Sequence, residues 1–479
     1  MADGMVSTTD SIVGGASICS ADSNLFVAAE QALNNGVGAV LVVDKGNKLL
    51  GEATLDTIRA AIKDGAHLKD ARVTVAMVAA ATRMLSGPAP KGRRLVGIVD
   101  AQGHLLEAEV THNAQFVPVA EPLLSSAEFR NLTDAFLSTW ISSTGQYIRD
   151  FEAKFARSHG MAEGIAVSNG TVSLHLALAA LGVGPGDEVI VPDFTFAATI
   201  NTVIHVGATP VIVDVDQETW AMSIEGLERA ITPKTRAIIP VHVFGRPAPM
   251  VEISAIAAKY GLYVIEDCAE AHGAKVGQKF VGEYSHIASF SFFANKILTT
   301  GEGGICLTND TILAQRLRTL RDHGMNPQRR YWHDEPGFNF RMTNLQASIG
   351  CAQIDRFDEI LDIRRDVEAR YRLKLARFAD VVMPVEADPR SEPVAWFACA
   401  LVPSDKRAAL IEACKQRDID LRPFFNALSV MPAYRKWARP CPVSMHLSAS
   451  GINLPTSHRI DDAVMDALVE AFATVLPSS

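Results

Sequence analysis

From Gly164 to Thr308 the chain repeats one pattern, a short apolar run bounded by Gly, Pro or Asp and followed by residues at helical spacing. The runs cover 164–168, 188–191, 209–215, 237–243, 262–265, 288–293 and 304–308. Parallel strands cannot be joined by a tight turn, so each needs a crossover long enough to hold a helix. The pattern therefore predicts a mainly parallel sheet with helices on both faces, a three-layer α/β/α arrangement. Two helices are expected upstream, over 126–139 and 146–159. Beyond Asp358 a helix-patterned segment leads into a smaller α+β region.

A chain of 479 residues exceeds what one ordinary core supports, so several domains are expected. The divisions read as a first module over 1–115, a large sheet-bearing domain over 116–357 and a small C-terminal domain over 358–479. Within the first module, VGAVLVV at 37–43 reads as a buried strand and DKGN at 44–47 as a turn. A short strand from Lys48 and a helix from Leu55 to Lys63 follow. RLVGIVDAQGHLLEA at 94–108 echoes this pattern, suggesting two related βαβ-like halves, and 86–92 is a loop by composition.

Composition narrows the class of function. The formal net charge of −9 argues against a nucleic-acid partner. No apolar run reaches bilayer-spanning length, and the first residues lack the basic and apolar stretches of a secretory leader. No membrane partner and a cytoplasmic setting are thus expected. The seven cysteines are scattered and show no C-x-x-C spacing, which suits free thiols in a reducing compartment better than disulfides or metal ligands. No metal site is expected.

Candidate chemistry lies in a few stretches. SFSFFANKILTTGEGG at 289–304 sets Lys296 directly after an apolar strand. An amine in apolar surroundings has a lowered pKa and attacks an aldehyde as the free base. Taken alone, it reads as a solvated strand-end lysine. VIEDCAEAHG at 264–273 ends a strand in two carboxylates, at the edge where open α/β sheets bind ligands. Asp267 there suits either the anionic partner of a protonated ring nitrogen or a helix cap. AVSNGT at 166–171 leads into a helix and offers backbone N–H groups to a phosphate, without the lysine of a nucleotide P-loop. VPDFTFAAT at 191–199 adds Phe196, a ring able to stack on a planar ligand or to fill the core.

Taken together and in order, SNGT, PDFTFAAT, EDCAEAHGA, SFFANKILTTGEGG and GFNFRMTNLQASIG resemble the sugar aminotransferases of the DegT/DnrJ/EryC1/StrS group, from about Val117 to the C-terminus. The resemblance implies a fold-type I pyridoxal-phosphate transferase on a mainly parallel seven-stranded sheet, with a smaller C-terminal α+β domain. It implies that Lys296 carries pyridoxal 5′-phosphate as a Schiff base and shuttles protons. Asp267 matches the pyridinium partner and Glu270 a residue near the ring hydroxyl. Gly170, Thr171 and Ser291 match the phosphate cradle, and Phe196 the stacking aromatic. Asn339 and Arg341 match a segment lent by the neighbouring subunit, so a homodimer with shared active sites is implied. His333, in YWHDEPGF, reads either as a sugar contact or as an exposed loop histidine. Arg422 is a further candidate substrate contact; its stretch RPFFNAL is followed by Ser429, where the group often carries histidine.

Within the group the motifs are nearest to the perosamine-forming members. That implies transfer of an amino group from L-glutamate to C4 of GDP-4-keto-6-deoxymannose, with the cofactor passing through pyridoxamine 5′-phosphate. Members that dehydrate the sugar replace the lysine by histidine, so Lys296 favours amination. A UDP- or dTDP-linked sugar, or a nucleotide sensor with a non-catalytic cofactor domain, are the alternatives. The first 110 residues resemble a CBS-like module, of the kind that binds adenine nucleotides. Its usual Thr-x-x-Asp reads here as Thr54-Leu55-Asp56-Thr57, which leaves a structural or oligomerising role as the other reading.

Overall fold

The computed structural model describes residues 12–13, 16–84, 95–110 and 116–477. They fall into two compact units: the residues before Gln115 with Leu124–Arg130, and Phe116–Leu123 with the chain from Asn131 onward.

The larger unit is organised by a seven-stranded sheet. Its strands are β1 (Glu163–Val167), β2 (Glu188–Pro192), β3 (Thr209–Val213), β4 (Thr235–Ile238), β5 (Tyr263–Asp267), β6 (Ile287–Ser291) and β7 (Gly304–Thr308). They lie in the order β3-β2-β4-β5-β6-β7-β1. Only β7 runs against its neighbours β6 and β1, because β6 and β7 are joined by a turn-rich loop with no crossover helix. That loop carries Lys296. β6 and β7 are buried at every position, as expected of strands covered on both faces.

The apolar run expected over 237–243 keeps pairing with β5 beyond the end of β4 at Ile238: the Asp267 N–H donates to Pro240 O at 2.9 Å and the His242 N–H to Asp267 O at 3.1 Å. Its last residue, Val243, opens the short 3₁₀ turn Val243–Gly245. One face of the sheet is packed by Phe151, Phe155, Phe290 and Phe292, whose rings meet edge to face at 4.9–5.0 Å. The C-terminal part adds the helix Phe357–Leu375 and an antiparallel sheet of Ala398–Leu401, Gly451–Leu454 and Arg422–Pro423.

In the smaller unit, Ala16–Ser20 pairs parallel with Ala39–Val43, and the helix Leu25–Asn34 makes the crossover. Ala39–Val43 then turns back onto Leu49–Thr54, and the helix Leu55–Lys63 follows with a Thr54–Thr57 capping box. Leu95–Val99 and Leu105–Val110 form a second hairpin of the same kind. Both turns are closed alike. Asp44 Oδ1 accepts from the N–H groups of Gly46 and Lys48 at 2.8 and 2.9 Å, and Asp100 Oδ1 from those of Gln102 and His104 at 2.9 and 2.8 Å. The hairpins also exchange backbone bonds at equivalent positions, Leu49 N–H to Gly103 O at 3.1 Å and Leu105 N–H to Asn47 O at 2.9 Å. The loop expected over 86–92 lies outside the described residues. All seven cysteines are free and buried. Among the described residues, no helix is long and apolar enough to cross a membrane.

Candidate active site

Strand periodicity separates the two carboxylates at the end of β5, because neighbours on a strand face opposite sides. Glu266 turns into the protein, where its carboxylate takes His242 Nε2 at 2.9 Å and the N–H groups of Gly282 and Tyr284 at 2.8 and 3.1 Å. His242 Nδ1 accepts the Ala248 N–H at 3.0 Å, so Nε2 carries the hydrogen and donates to Glu266. Asp267 faces the other way. Its carboxylate accepts Thr199 Oγ1–H at 2.8 Å and the Ala269 N–H at 3.2 Å. Thr199, its own hydrogen so committed, accepts in turn from Thr195 Oγ1 at 3.1 Å. Burial pushes the Asp267 pKa up, and those hydrogen bonds and the Lys296 charge only partly offset it. A buried anion held this way calls for a cation beside it.

Lys296 supplies one charge near this carboxylate. Its side chain is 11% exposed, and Nζ lies 3.7 Å from Glu270 Oε1 and 3.6 Å from the centre of the Trp396 ring. Burial lowers the pKa of the amine, opposed by Glu270 and Asp267. Burial likewise raises Glu270 to about 7, against the pull of Lys296 and a hydrogen bond from the Phe244 N–H at 2.7 Å. Phe244 makes that bond from a left-handed backbone conformation, with φ of 54°. This is costly for an aromatic residue and tolerated where packing dictates it.

The turn after β1 brings the next pieces in. Asn169 caps the helix Gly170–Ala180, accepting the Val172 N–H at 3.0 Å, which leaves the first N–H groups of the helix directed outward. Gly170 stands so close to β6 that a Cβ on it would sit 2.6 Å from Ser291 Cβ. Phe196 follows β2 as an exposed residue (58%), its ring 5.8 Å from that of Phe425. Phe425 in turn stacks near Phe244 at 5.4 Å and Trp396 at 6.3 Å, forming an aromatic wall beside the lysine.

The other sequence candidates are held by partners of their own. Arg341 donates to Asn339 Oδ1 at 3.0 Å and pairs with Asp322 at 2.9 Å. The segment carrying them bridges to Val167, at the end of β1. His333 sits on an exposed turn with Nδ1 2.8 Å from His323 O, and Arg422 is exposed and pairs with Asp420 at 3.2 Å. Ser429 has a local explanation. Its N–H and hydroxyl donate to the buried Asp193 carboxylate at 2.7 and 2.8 Å, tying the C-terminal loop to the loop of Phe196.

A family model for the DegT/DnrJ/EryC1/StrS aminotransferases matches residues 122–473. The chain belongs to that family. GDP-perosamine synthase of Caulobacter vibrioides is 43% identical over 364 residues, covering 75% of this chain and 98% of that protein. GDP-perosamine synthase of Escherichia coli O157:H7 is 41% identical over 346 residues, covering 71% and 93%. Among solved structures, the sugar aminotransferase Spr1654 of Streptococcus pneumoniae, seen in PLP and PMP forms, superposes with a TM-score of 0.72 at 27% identity, covering 75% of this chain and 98% of that one.

As a DegT/DnrJ/EryC1/StrS member the chain is a pyridoxal-phosphate-dependent sugar aminotransferase. Its residues fit that cofactor. Asp267 is a buried anion wanting a cation, Lys296 a buried amine near it, and Gly170 lets the helix start lie directly against Ser291, so that backbone N–H groups and that hydroxyl come together as a phosphate needs. Sequence reasoning missed Thr199, Phe244 and Trp396. Thr199 was legible, three residues after Phe196 in the same motif. Phe244 and Trp396 carried no signal, since each reaches the site only through tertiary packing.

Proposed function

We propose that the chain transfers an amino group from L-glutamate to C4 of GDP-4-keto-6-deoxymannose, giving GDP-perosamine. The observation that carries this reading is a buried Lys296–Glu270 pair beside Asp267 in a chain 43% identical to a GDP-perosamine synthase. When bound, pyridoxal phosphate supplies an electron sink for the carbon that bears the nitrogen. Lys296 then holds the cofactor and moves the proton at that carbon, a role its lowered pKa suits. Asp267 would keep the ring nitrogen protonated, and Glu270 would serve the ring hydroxyl. The N–H groups of Gly170 and Thr171 and the Ser291 hydroxyl take the phosphate, and Phe196 covers one face of the ring.

Incubation with glutamate and a panel of GDP-, UDP- and dTDP-4-keto-6-deoxysugars, read by mass spectrometry, tests the substrate. Conversion of the GDP-sugar alone is expected, and exclusive amination of a UDP- or dTDP-sugar would replace this reading. In parallel, Lys296→Ala should lose the visible cofactor band.

The assembly we propose is a homodimer in which Asn339, Arg341 and the turn of His333 serve the partner's site. The exposed Phe136, Leu137, Trp140 and Ile141 support an apolar contact surface. Arg422 is proposed to face the substrate. Residues 1–115 are read as a CBS-like module beside a cofactor domain over 116–357 and a small domain over 358–479. The matching hairpins at Asp44 and Asp100 support two related halves. Thr57, where such modules carry a ribose-binding carboxylate, spends its hydroxyl on the Thr54 capping box. That favours a structural role over adenine-nucleotide binding.

A further inference from the structure

We propose that the indole face of Trp396 is a docking place for the Lys296 amine, holding it charged and beside Glu270 whenever the lysine is free of the cofactor. Nζ lies 3.6 Å from the ring centre, well inside the range in which an ammonium is attracted to an aromatic face. Tryptophan is the strongest of the side chains that can offer such a face. With Glu270 Oε1 at 3.7 Å, the amine has an anion on one side and a π face on the other.

The ring is fixed by the same elements that carry the reacting groups. Its Nε1–H donates to Asn295 O at 2.7 Å, on the residue before the lysine. Its backbone N–H donates to Phe244 O at 3.1 Å, and Phe244 gives its own N–H to Glu270. Its carbonyl accepts from Arg364 on the helix Phe357–Leu375 at 2.9 Å. Trp396 is 5% exposed, so a plain core role predicts the same burial. What a core role does not predict is a response to the protonation of Lys296. Trp396 is thus a positioning residue that acts through the lysine.

The inference rests on Lys296 being the cofactor-bearing lysine. The test uses the full chain freed of cofactor. Tryptophan emission of the native protein should rise in a step as the pH passes the deprotonation of Lys296, since an ammonium against an indole quenches it. The part of that step owed to Trp396 should vanish in Lys296→Met and in Trp396→Phe, which removes this indole and leaves Trp140, Trp220, Trp332 and Trp437, the last with Lys436 Nζ 5.1 Å from its ring centre, to contribute equally in all three proteins. Separately, the rate of Lys296 acylation by an amine reagent is followed against pH by mass spectrometry. In Trp396→Leu the midpoint should fall so that the rate below it is about tenfold higher with the same plateau. In Trp396→Phe, which keeps a π face, the change should be smaller. A higher plateau with an unmoved midpoint would report mere access and overturn the proposal, as would an emission step that is undiminished in Trp396→Phe. If Trp396→Leu does not fold, the emission comparison decides alone. Retention of the cofactor band by Lys296→Met would sink the functional reading instead.

Discussion

Glu270 is a carboxylate whose charge depends strongly on its surroundings. Burial raises its pKa to about 7, and Lys296 and the Phe244 N–H only partly counter this. In the unfolded chain the carboxyl titrates near its ordinary value of 4.5. Between those values the unfolded state loses its proton while the folded state keeps it, so stability falls as pH rises across that window. Glu270→Gln keeps a hydrogen-bond acceptor for Phe244 and removes the titration. Thermal denaturation of the cofactor-free protein should show native stability dropping from pH 5 to pH 8 by up to about 3 kcal/mol, and the variant losing much less. Equal pH dependence in both would show that Glu270 does not titrate as described. At this scale Lys296 and Asp267 were legible as candidates, because one follows and the other ends an apolar strand, at the edge where an open sheet presents its side chains. It was silent on Trp396, which lies 100 positions from Lys296 and meets it only in space.

Among the elements, the phosphate turn depends on how closely a helix start can approach a strand. The helix Gly170–Ala180 meets β6 at Ser291 with no room for a side chain at 170. Gly170→Ala should push the turn off Ser291, at an overpacking cost of about 1–3 kcal/mol. If that cost falls on the bound state, pyridoxal phosphate should bind about tenfold to hundredfold more weakly, as measured by titrating the visible band. Unchanged affinity would place the phosphate elsewhere. Most of the strands could be read from the sequence, since apolar runs broken by Gly and Pro are dictated by burial on both faces. The turn beyond β4 could not. The backbone stays bonded to β5 as far as His242, and the 3₁₀ turn that begins at Val243 then carries Phe244 to Glu270.

For the whole molecule the question is whether one chain makes a complete site. Within the chain Arg341 is occupied by Asp322 and Asn339. In the proposed homodimer, Lys296→Ala and Arg341→Ala proteins should each be nearly inactive. Mixed by co-expression, they should recover about a quarter of native activity, because half the dimers are hybrids and each hybrid has one intact site. No recovery would mean that both residues serve the same chain's site. The sequence by itself determined the layered sheet and the order of its strands along the chain, and it marked Lys296 as a candidate through the ordered motifs around it. The strands follow from local burial periodicity. Only the tertiary structure decided which of Glu266 and Asp267 faces the site, how Ser429 locks the loop of Phe196 through Asp193, and that Trp396 covers the lysine. Those contacts join residues distant in the chain, and packing rather than sequence spacing brings them together.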